Sequence, residues 1–185
     1  EVDERIRRLV EESRKSVEDL ARIVDELVER LRRSVRDLEE KSKRNKEELE
    51  KVLRDLARTR GDKSEKVKRI ADIIRRVEEE SEKLIDRVRK ENKKVIEDMR
   101  RLIRKVEEEN KRVIDDLRRL VKERGTEEVV ERVERLIEKV HRDNRRVAEK
   151  LREDVRRVHE DNKDVARKSH KLVKEVRDTV REVRR

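Results

Sequence analysis

The stretch VKERGTEEVV at 121–130 decides the fold. Lys122 and Arg124 put positive charge where a helix dipole is negative, Gly125 tolerates the left-handed position that closes a helix, and Thr126 with Glu127 and Glu128 offers a cap and an acidic first turn. One helix stops here and another starts at once. The same punctuation stands in RTRGDKSE at 58–65: Arg58 and Arg60 precede Gly61, and Asp62 with Glu65 three positions on matches a capping box. Gly61 and Gly125 are the only glycines in 185 residues, and there is no proline. The chain therefore predicts helix 1 over about 2–60, helix 2 over about 62–124 and helix 3 over about 126–184. Turns this short return each helix along the one before. The expected fold is all-α, a single-chain antiparallel (up-down-up) three-helix bundle forming one domain over 1–185, with its helix turns at Gly61–Asp62 and Gly125–Thr126.

Between the turns the sequence repeats at 18 residues: SVEDL at 16–20 and SVRDL at 34–38, LIDRV at 84–88 and LIRKV at 102–106, VHRDN at 140–144 and VHEDN at 158–162. Eighteen residues make five turns of an undistorted α-helix, whereas a heptad repeat forces left-handed supercoiling. Long, nearly straight helices follow, each roughly 90 Å at 1.5 Å per residue.

Apolar residues recur at spacings of 3 and 4 and mark the buried stripe. Helix 1 runs from Val10 through Leu20, Leu31 and Leu38 to Leu56; helix 2 from Val67 through Val88 and Met99 to Leu117 and Leu120; helix 3 from Val133, Leu136 and Val140 to Val180. A flanking row that includes Ile85, Ile114, Ile137 and Ala148 widens the stripe to the face a bundle core needs.

Polar residues inside the stripe form the candidate site. In an antiparallel pair the numbers of facing residues add to a constant, about 123 for helices 1 and 2 and about 250 for helices 2 and 3 when the turns are centred on the glycines. Three levels emerge. Ser13, with Ser16 in the same level, faces Asn110, which faces position 140 beside His141 and one turn from Asn144; Ser34 lies within a turn of Asn92, which faces position 158 beside His159 and Asn162; Ser42, with Asn45 one turn away, faces Ser81, which faces Ser169 and His170. A buried polar group without a partner costs about 1–3 kcal/mol, so alignment in levels implies that these groups satisfy one another through hydrogen bonds.

The restricted alphabet, the 18-residue regularity, the Glu/Lys/Arg surface and the layered Ser, Asn and His resemble de novo designed helical bundles with buried hydrogen-bond networks. The resemblance covers the whole chain and is to a style of sequence. It implies a structural scaffold without natural activity, whose networks fix helix register because a slipped assembly buries unmatched polar groups. Neutral histidines in such networks would make the fold sensitive to acid. The alternative is a helical component that pairs with another chain or with itself.

Other functions find little support. His141 and His159 are 18 residues apart and His159 and His170 are 11 apart, roughly 27 and 16 Å along a helix, too far to share a metal ion. Cysteine is absent and no loop is long enough to form a pocket, so neither an enzyme nor a bound cofactor is expected. The net charge of +10 raises nucleic acid and anionic membranes as partners, yet acidic triplets at 78–80 and 107–109 interrupt the excess and no aromatic side chain can stack on a base. Arg60-Gly61-Asp62 spells an adhesion tripeptide that a helix stop followed by a cap also explains. No apolar run approaches the ~20 residues of a membrane span. A soluble monomer with no required partner, no nucleic acid, no membrane and no natural compartment is the expectation.

Overall fold

The computed structural model describes residues 2–60, 65–123 and 125–184. They form three helices, α1 (Val2–Arg60), α2 (Glu65–Glu123) and α3 (Glu127–Arg184), which pack against one another as a three-helix bundle. Gly61 and Asp62, the last two residues of the tripeptide at 60–62, lie outside the described residues. Ion pairs one turn apart line the helix surfaces, among them Asp19–Arg22, Glu153–Arg156 and Asp164–Arg167. Each such pair is worth only about 0.2–0.5 kcal/mol, so the apolar face does most of the stabilising.

At the start of α3 the carbonyl of Thr126 accepts hydrogen bonds from the amides of Val129 at 3.1 Å and Val130 at 3.2 Å, the role of a residue that caps a helix. Gly125 departs from expectation. Its backbone does not take up the left-handed conformation; a Cβ there would instead lie 3.3 Å from the Val121 carbonyl oxygen. Glycine suits the position because a side chain would press on the last turn of α2, not because of a positive φ.

Packing divides the helices into two compact units, each containing a stretch of every helix: 1–30 with 94–156, and 31–93 with 157–185. In the first, Ile6, Val10, Ile114 and Val130 form one apolar cluster, and Leu117, Val133 and Ile137 another. Arg5 bonds Glu134 at 2.7 Å and Ser16 bonds Asn144, so α1 and α3 run in the same sense here. In the second unit, Leu49 and Leu56 of α1 pack with Val67, Ile70, Ile74 and Val77 of α2 and Val173, Val176 and Val180 of α3. Leu38 joins Ile85 and Val88 in a smaller cluster. The Glu48–Arg177 ion pair and the Ser34–Asn162 bond again set α1 and α3 parallel.

The buried row of α3 differs from the one read off the sequence. Leu136 is 50% exposed, while Val133, Ile137, Asn144 and Ala148 are buried. Asn144 belongs to the row as read, and Ile137 and Ala148 to the row flanking it; contact with α1 and α2 turns the buried face toward that flanking row and leaves Leu136 outside. At the end of α2, Leu120 likewise turns outward, with 38% of its surface exposed.

Candidate functional site

The 18-residue repeat brings equivalent side chains to two levels, one in each unit. In the second unit the level around Asn92 is closed. Asn92 and Asn162 are both buried and exchange reciprocal amide bonds, each nitrogen donating to the other's oxygen at 3.1 Å. The second hydrogen of Asn92 Nδ2 goes to the Val88 carbonyl at 2.7 Å, and that of Asn162 Nδ2 goes to Ser34 Oγ at 2.9 Å. Ser34 Oγ lies 2.9 Å from His159 Nδ1. With the His159 proton on Nε2, Ser34 accepts from Asn162 and donates to the ring, and the chain of donors closes across α2, α3 and α1. Both amides use every donor they have. In a low-dielectric interior such a saturated set fixes one register, because a slip by one turn orphans several groups at once.

Asn162, rather than position 158, is the residue opposite Asn92. The pairing of α2 with α3 is thus offset by one turn from the register in which the glycines centre the turns. Asn110, by contrast, bonds to α1 and to no described residue of α3.

In the first unit the corresponding level splits. Ser13 is buried and donates to Asn110 Oδ1 at 2.5 Å, joining α1 to α2. Asn144 Nδ2 separately donates to Ser16 Oγ at 3.2 Å, joining α3 to α1. His141 belongs to neither pair: its Nε2 is buried without a hydrogen-bond partner. The ring lines a cleft of about 380 Å³ together with Glu12, Ser16, Asp19 and Asn144.

The third level is not a network. Ser169 is buried, but its hydroxyl has no partner; His170 is exposed; Ser42, Asn45 and Ser81 are half-buried; and no hydrogen bond joins the five. Ser42, Asn45 and Ser81 instead line a cleft with Lys46, Arg75 and Glu78. Burial raises the Glu78 carboxyl above its ordinary pKa of 4.5, with Glu50 and Glu82 adding to the rise and Lys46 and Arg75 opposing it. Because Ser42, Asn45 and Ser81 can reach water, they do not need one another.

Two features escaped the sequence reading. The Val88 carbonyl completes the Asn92 amide, a backbone acceptor one turn back that any helical Asn can reach. Ion pairs between helices, Arg5–Glu134 and Arg89–Glu39 (both 2.7 Å) and Glu48–Arg177, join the edges of the stripe. They were concealed among a surface of charges with no periodicity of their own. Among the described residues, no group of His, Asp or Glu is placed to hold a metal ion, and no helix is long and apolar enough to cross a membrane. The chain matches no protein-family model, no curated protein and no solved structure.

Proposed function

We propose that the chain is a structural scaffold of designed origin, a closed three-helix bundle whose buried hydrogen bonds select helix register and pairing. The closed set of Ser34, Asn92, His159 and Asn162 carries the proposal, since it joins all three helices and leaves no amide donor unused. The restricted alphabet and the 18-residue repeat support a designed origin. Light scattering on a size-exclusion column tests the closed form: one species near 22.6 kDa is expected, and a clean multiple of that mass overturns it.

A second reading, a component that pairs with a further helix, is favoured by the exposed Leu120 and Leu136. It predicts that replacing Leu136 by Lys lowers the mass of an associated species to that of one chain.

A further inference from the structure

A groove of about 670 Å³ between α1 and α3 in the second unit is lined by Lys41, Arg44, Lys163, Arg167, Lys171 and Lys174 and by no carboxylate. The remaining lining is His170, Asn45 and Ala166, which supply hydrogen-bonding groups and a small apolar floor. Other clefts of the chain mix the signs: the one beside His141 carries Glu12 and Asp19 with Lys15 and Arg145, and the one beside Asn110 carries Glu18, Glu107 and Asp115 with Arg14, Lys111 and Arg118. The concentration of charge is written in two segments. KSKRNK at 41–46 has four cations and no acid, and KDVARKSHKLVK at 163–174 has five cations and Asp164 alone. The parallel course of α1 and α3 sets the two segments side by side.

Within the groove, Lys163 is paired with Glu160 at 3.4 Å and Arg167 with Asp164 at 2.6 Å. Among the described residues no ion pair joins Lys41, Arg44, Lys171 or Lys174 to a carboxylate, and no carboxylate lines the groove beside these four cations. Mutual repulsion among them falls when an anion enters, and a multiply charged anion meets several at once. Arg44 adds a planar fork suited to the oxygens of a tetrahedral group.

We propose that this groove binds an oligophosphate, a short chain of linked phosphate groups. A bare phosphate chain fits the lining better than a nucleic-acid strand does, because six cations meet there with only one ring, His170, and the chain has no Phe, Tyr or Trp on which successive bases could stack. The groove is independent of the buried levels, so binding there neither requires nor tests the scaffold role.

Titration calorimetry of the full chain with tripolyphosphate tests the site, in about 50 mM salt, where screening reaches beyond ~10 Å. One tripolyphosphate per chain is expected. Lys171→Glu with Lys174→Glu should weaken binding by about tenfold or more, and Lys171→Gln with Lys174→Gln by a smaller factor. Lys139→Glu with Lys150→Glu, which makes the same change of net charge elsewhere on α3, should weaken it by less than about twofold. These lysines are exposed, and far-ultraviolet circular dichroism checks that each variant retains its helices. Absence of binding by the parent, or equal loss in the groove and control variants, overturns the proposal. Binding of an oligothymidylate about tenfold tighter than tripolyphosphate, and lost in the groove variants, also overturns it by making the occupant a nucleic-acid strand.

Discussion

The levels around Asn92 and Asn110 are made from the same side chains and are bonded differently. Ser34, Asn92, His159 and Asn162 have their counterparts in Ser16, Asn110, His141 and Asn144, each 18 residues away along its own helix. Their apolar neighbours are also matched: Val35 and Val17, Val88 and Val106, Val95 and Val113. The Ser34–Asn162 bond has its equivalent in Ser16–Asn144, at 2.9 and 3.2 Å. The reciprocal amide pair and the histidine contact do not. The adjacent inward position differs: Leu31, fully buried, stands where the other level has Ser13. Ser13 puts a hydroxyl on Asn110 Oδ1, the oxygen that in Asn92 is offered to α3. The extra donor accompanies an amide directed to α1 and a level split in two. A repeated motif does not ensure a repeated network, because hydrogen bonds compete for the same acceptor.

Exchanging the two inward residues is the strongest way to break this contrast. Leu31→Ser should cost about 3–5 kcal/mol, as it loses a fully buried apolar side chain, opens a cavity and puts a competing hydroxyl beside Asn92. The reverse change, Ser13→Leu, should free Asn110 to pair with Asn144 and stabilise the fold by roughly 1 kcal/mol. Urea midpoints measure both changes. A nuclear Overhauser contact between the Asn110 and Asn144 amides would identify the new pair, and its absence would show that Ser13 is not what divides the level.

Removing the central amides sharpens the comparison. Asn162→Leu removes two of the three bonds of the Asn92 amide, leaving the one to Val88, and deprives Ser34 of a donor, whereas Asn144→Leu deprives only Ser16. Losses of about 2–3 and 1 kcal/mol respectively are expected in denaturant unfolding. Equal losses would mean that the closed level holds no advantage over the split one.

The smallest effect concerns acid and the unbonded third level. Glu78 has a folded pKa raised above 4.5, chiefly by burial, so its ionised form opposes folding. That opposition is complete above the folded pKa and vanishes below the unfolded one, so stability from this group increases as pH falls between them. Glu78→Gln should therefore raise the denaturation midpoint slightly at pH 7 and leave it unchanged below about pH 4. A gain that persists in acid would assign the effect to packing instead of charge.

Helix number, helix type and the turn at Thr126 were legible in the sequence because they depend on local chemistry. Two glycines, the charges beside them and apolar spacings of 3 and 4 leave few alternatives over 60-residue segments. The buried Ser13, Asn92, Asn110, Asn144 and Asn162 were legible for the same reason, as interruptions of the apolar stripe, while Ser34 was reached through the 18-residue repeat, one position from Val35 in the stripe as read. The Ser13–Asn110 pairing across α1 and α2 was legible as well, whereas the partners across α2 and α3 were less so. A one-turn offset between α2 and α3 changes Asn92's neighbour from position 158 to Asn162, and number-matching across a turn is no finer than one turn. His170 reads as a network member by spacing, yet it points to the exposed face.

By itself, then, the sequence determined three helices, their punctuation and the residues that interrupt their apolar faces, since each of these follows from interactions within a few residues. Only the tertiary structure decided which helical row of α3 is buried, which amide meets which, and where the cations of two distant segments converge. Those outcomes turn on the rotation and axial offset of packed helices. A shift of one turn leaves every local interaction intact and replaces the partner of every buried polar group.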